Sequence, residues 1–76
     1  MTNFVSPGEK FYVTYVSDGL EISYAIPDIT AETEDVTVAL NGIVQPPYDV
    51  FTVHQGNLRF VDDAPISGFV ITIRAA

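Results

Sequence analysis

A chain of 76 residues sets ten carboxylates against three cations, giving a formal net charge of −7, and holds no cysteine. That inventory excludes a disulfide scaffold and a Cys/His zinc cluster. It also leaves too few Lys and Arg to neutralise nucleic-acid phosphates or to settle on an anionic membrane surface, and the length admits one domain.

Residues 1–9 show no periodicity and contain the turn signal Ser6-Pro7-Gly8. They read as an N-terminal arm ahead of a single β-domain over 10–76. A free tail has little use for the apolar pair Phe4 and Val5, so these two are candidate contacts with a neighbouring subunit. The run Phe11–Val16 consists of strand formers and is closed by Ser17-Asp18-Gly19 as a turn. Leu20, Ile22, Tyr24 and Ile26 then alternate with Glu21, Ser23 and Ala25, which predicts a strand over 20–26 with one buried face. Pro27 stops it.

The acidic stretch 28–35 is too short for a free-standing helix. It reads as a loop with one helical turn, Asp28 or Thr30 supplying the N-cap. Val36, Val38 and Leu40 alternate with Thr37 and Ala39 and lead into Asn41-Gly42, a pair suited to the positive φ angles of a type I′ hairpin. Ile43-Val44-Gln45 returns as the partner strand until Pro46-Pro47. Phe51–His54 forms a strand, Gln55-Gly56 a tight turn, and a further strand carries Asn57, Leu58 and Phe60 to one side and Arg59 and Val61 to the other. After a turn over 62–68, Phe69, Ile71 and Ile73 alternate with Val70, Thr72 and Arg74. About seven short strands at close spacing predict an all-β fold, a small antiparallel β-sandwich or barrel.

Catalysis lacks its inventory. His54 is the one histidine, it sits at the end of a predicted strand, and no serine lies in a G-x-S-x-G setting; it reads as a surface residue. Asp28, Glu32, Glu34 and Asp35 lack the ligand spacing and central glycine of an EF-hand loop and read as a solvated loop. No enzyme, cofactor or metal is expected. No run approaches transmembrane length, and the opening MTNFVSPGEK lacks the basic and apolar regions of a secretion signal. Synthesis in a cytoplasm is therefore expected, with neither a membrane nor a nucleic acid as partner.

Binding is the class that remains. At 47% hydrophobic and 17% charged residues the chain is apolar for its size. A domain this small buries only about 60% of its unfolded surface and usually needs a staple, of which oligomerisation is the one left. Adjacent residues of a strand face opposite ways, so one of Phe11 and Tyr12 should be outward. Phe11, Tyr12, Tyr15 and Tyr48 are candidate interface aromatics, since an aromatic ring with a polar tip suits such a position.

The order Val36 to Pro47, then Tyr48-Asp49-Val50-Phe51-Thr52-Val53, Asn57-Leu58-Arg59-Phe60 and Ala64-Pro65-Ile66-Ser67-Gly68, followed by a last strand to Ile73, resembles a module common in tailed-bacteriophage fibre and virion proteins. Asp18-Gly19-Leu20 and Tyr24-Ala25-Ile26-Pro27 resemble its opening strand, so the likeness spans roughly residues 18 to 74. It implies a structural protein of the virion, made in the host cytoplasm. With the module standing by itself in a short chain, the expectation is a capsid decoration (cement) protein. Its expected partner is the major capsid protein, or else a tail protein, and it is expected to be a homo-oligomer, with a trimer as one candidate. A tail or tail-fibre attachment protein is the alternative within that class, and a carbohydrate-binding β-sandwich module the alternative outside it.

Overall fold

The structure, a computed structural model, describes residues 10–75. The expected arm, with Phe4 and Val5, lies outside the described residues. Seven strands follow in chain order: β1 (Phe11–Val16), β2 (Ser23–Ala25), β3 (Val36–Leu40), β4 (Ile43–Gln45), β5 (Phe51–His54), β6 (Asn57–Phe60) and β7 (Val70–Ala75). They form two antiparallel sheets, a four-stranded one ordered β1-β7-β3-β4 and a three-stranded one ordered β2-β6-β5. The all-β reading therefore holds, as two sheets enclosing one core. No helix among the described residues is long and apolar enough to cross a membrane.

The period of two places the core. Phe11 of β1, Val36 and Val38 of β3, and Ile71, Ile73 and Ala75 of β7 turn inward from the four-stranded sheet. Tyr24, Phe51, Val53, Leu58 and Phe60 meet them from the other sheet. Val38, Phe51, Leu58, Ile71 and Ile73 are the largest side chains cut off from solvent. Tyr24 is the aromatic hinge of the packing. Its ring lies 5.1 Å from that of Tyr15 and meets Phe60 edge-on at 5.9 Å, both favourable ring arrangements.

Three local expectations are corrected. The strand expected over 20–26 shrinks to Ser23–Ala25, and Leu20 is 84% exposed. The cause is Asp18, whose Oδ1 accepts the backbone N–H of Leu20 at 2.8 Å and of Glu21 at 2.9 Å, bending the chain into an Asx turn. In the acidic stretch the one turn is a 3-10 turn at Thr33–Asp35, and its N-cap is Glu32 rather than Asp28 or Thr30. The Glu32 N–H donates to the Asp35 carboxylate at 2.9 Å, whereas Asp28 binds the Thr30 hydroxyl at 2.6 Å and its N–H at 2.9 Å. Asn57, finally, is exposed while Leu58 and Phe60 are buried, so it shares the outer face with Arg59.

The hairpins form where their turn residues demand. Asn41 and Gly42 take φ of +51° and +85°, and Gln55 and Gly56 take +48° and +82°, the paired left-handed values of a type I′ connection. Asn41 then reaches beyond its hairpin: its N–H donates to the Val70 carbonyl at 2.9 Å and its Oδ1 accepts the Val70 N–H at 2.8 Å. A side chain thereby extends the β3–β7 ladder by one position.

Candidate functional site

Nine of the ten carboxylates, all but Glu9, lie in the described region, and every one of them is in a loop or turn. No described strand carries a carboxylate. Among the described residues no three His, Cys, Asp or Glu side chains converge as a metal site. Asp28 and Asp35 are instead used in local turns.

One groove gathers polar groups: Thr33, Glu34, Tyr48 and His54 line it, with Ile29 at its rim. Tyr48 stands in a left-handed backbone position (φ +68°) after Pro46-Pro47, and 55% of its surface is exposed. The Glu34 carboxylate beside its hydroxyl, helped by desolvation, raises the phenol above its ordinary value of 10.0, because a hydrogen bond to the anion favours the neutral phenol. A phenol held neutral is a hydrogen-bond donor and no general base. His54, exposed at the end of β5, has no cysteine or serine beside it in this groove, and on the outer face of its sheet it shares a depression with Ser23.

The interface candidates separate. Phe11 is only 5% exposed and packs in the core, so it is removed from the contact set. Its directly opposed residue on β7 is Ala75, itself inward, and a strand residue shares the face of its antiparallel partner. Tyr15 is likewise inward, opposite Ile71, half-buried against the core and donating its hydroxyl to the Ala25 carbonyl at 2.5 Å. Tyr12 is the outward member of the Phe11–Tyr12 pair and sits opposite Arg74. It flanks a shallow depression with Thr37, Ala39, Val44 and Thr72. Tyr48 belongs to the other groove, so the two outward tyrosines line different surfaces.

Composition and alternation alone missed the surface that stands out in three dimensions. The outer face of the four-stranded sheet presents Tyr12, Thr14, Val16, Val44, Val70 and Thr72, with Arg74 as the charged strand residue upon it. Val16 and Val44 are 66% and 63% exposed. The outer face of the three-stranded sheet is polar by contrast, with Ser23, Thr52, His54, Asn57 and Arg59 around a common depression. The legible signal was the absence of Asp and Glu from the runs 11–16, 36–45 and 69–75. No protein-family model, curated protein or solved structure matches the chain.

Proposed function

We propose that this chain is a structural protein of a tailed-bacteriophage particle, a decoration protein that binds the capsid shell through protein–protein contacts. One observation carries the reading: the order and spacing of Val36 to Pro47, Tyr48 to Val53, Asn57 to Phe60 and Ala64 to Gly68, which resemble the phage virion module. The exposed aliphatic and aromatic surface on the four-stranded sheet supports a binding role, since a patch of that kind in a small domain marks a contact. The carboxylates in the loops would keep such a protein soluble before it is captured.

Co-sedimentation with empty shells, built from the major capsid protein of the same genome, tests the proposal. The expected result is saturable binding, removed when Tyr12→Glu or Val44→Glu is introduced on the outer face. A folded chain that stays in the supernatant with shells and pellets with isolated tails would move the assignment to the tail. A chain that pellets with neither would remove the virion reading.

A further inference from the structure

A β-sandwich must protect its edge strands, because their unpaired N–H and C=O groups recruit other strands. Four strands are edges here: β1 and β4 of one sheet, β2 and β5 of the other. Three of them are managed. β4 has three residues and runs into Pro46-Pro47. β2 also has three, and Tyr15 occupies its Ala25 carbonyl. β5 is plugged by its own chain, with the Val53 N–H donated to Thr33 at 2.9 Å and the Phe51 carbonyl accepting from the Tyr48 N–H at 2.8 Å.

β1 is the exception. It has six residues, Phe-Tyr-Val-Thr-Tyr-Val, with no charge, no proline and an unbroken register against β7. Among the described residues nothing is hydrogen-bonded to its outer edge.

We infer that β1 is a pairing edge, and that its occupant is the β1 strand of a second copy of this chain. The register of that pairing follows from two constraints. Ser17 donates to the Phe69 carbonyl at 2.9 Å, one step past the end of β1, so the odd-numbered residues bond to β7. In an antiparallel ladder the bonding direction alternates, so Tyr12, Thr14 and Val16 turn their backbone groups outward. Opposed residues must also share a face, which keeps both copies' inward residues on one side. Both conditions are met by a two-fold axis at Thr14. Thr14 then faces Thr14 of the second copy, and Tyr12 faces Val16, an aromatic against a β-branched residue on the outer surface. The contact is isologous, as a closed dimer requires.

Charge favours this occupant. Two chains of −7 repel wherever their loops meet, but β1 itself carries no charge to repel its copy. Lys10 breaks the alternation, since its N–H goes to the Ala75 carbonyl at 2.8 Å, so the paired segment is Tyr12 to Val16 of each copy. Strand pairing joins the two four-stranded sheets into a continuous eight-stranded one (4 + 4), with the outer faces coplanar. This inference goes beyond the particle reading and does not depend on it: a monomer that binds shells would remove the dimer and leave that reading standing.

Sedimentation equilibrium of the full chain, from micromolar to about 1 mM, should show the mass rising from 8.3 kDa toward twice that value. Thr14→Pro deletes an N–H that has no partner among the described residues, and Thr14→Lys places a like charge at the two-fold. Both should weaken association at least about tenfold while leaving the circular-dichroism melt of the dilute protein in place. Thr14→Cys should form an intermolecular disulfide in air, because the two Cα atoms of a bonded pair lie about 5.5 Å apart, inside disulfide range. Thr37→Cys, on the same face but two strands inward, should not. A chain still at 8.3 kDa at about 1 mM, or Thr14 variants that associate like the original, would overturn the inference. So would a chain that dimerises only after residues 1–9 are removed, which would make the arm the natural cover of the edge.

Discussion

The hydroxyl of Thr33 seals the edge of β5 at Val53, accepting its N–H at 2.9 Å and facing its carbonyl at 3.4 Å. Both residues are buried, so the bond is shielded from water and has no substitute. Thr33→Val keeps the shape, strands the Val53 N–H, and should cost about 1–3 kcal/mol. Thr33→Ser retains the acceptor and should cost less. Urea unfolding of the pair resolves the two, and equal losses would assign the effect to packing instead.

Gly42 is a second sensitive point for a different reason. A Cβ built there meets nothing within 4 Å, but the residue sits at φ +85°. Gly42→Val should therefore destabilise by backbone strain alone, by more than about 1 kcal/mol. An unchanged melting temperature would show that the β3–β4 turn relaxes to another type without loss.

Acid should weaken the fold through its turns. Asp18 is held below its ordinary value of 3.8, first by the Glu21 N–H and then by that of Leu20, and Asp28 is lowered by Thr30. A carboxyl depressed in the folded state stabilises it above the unfolded value, and that contribution is lost as pH falls through the folded value. Stability should thus decline below about pH 4. Asp18→Asn keeps an acceptor oxygen but does not titrate, so its stability profile between roughly pH 2 and 7 should fall less steeply on the acid side. Identical profiles would show that the turn does not contribute.

The domain should also stand without residues 1–8. Ordering such a segment costs about 1–2 kcal/mol of backbone entropy per residue, and only Met1, Phe4 and Val5 offer apolar surface in return. The core is formed by residues from 11 onward. Deleting residues 1–8 should leave the circular-dichroism spectrum intact and weaken binding to shells. Loss of the folded spectrum would make the segment part of the sandwich.

What the sequence made legible was the strand inventory, because alternation such as Val36-Thr37-Val38 and turn pairs such as Asn41-Gly42 are local signals. What it hid was long-range. Leu20 carries the right period for a strand, yet an Asx turn from Asp18 takes it out. Tyr15 looks like a surface aromatic until β7 fixes its facing. Thr33 offers no pattern at all, since its role depends on a strand twenty residues away. Which strands become edges is likewise a property of the sheet order and not of any one segment.

That sheet order constrains how the molecule comes to exist. β7 follows every other strand in chain order, yet it lies between β1 and β3 and bonds to both. β1 and β3 have no ladder with each other, so a nascent chain holding only β1 to β6 can build the three-stranded sheet and the β3–β4 hairpin and nothing more. Its charge-free first strand lacks its described ladder partner until the seventh emerges from the ribosome. Non-local closure of this kind slows folding and lengthens the interval in which a lone strand can meet the wrong partner. On this topology β1, made first, is the strand that goes without its described partner for the longest stretch of synthesis.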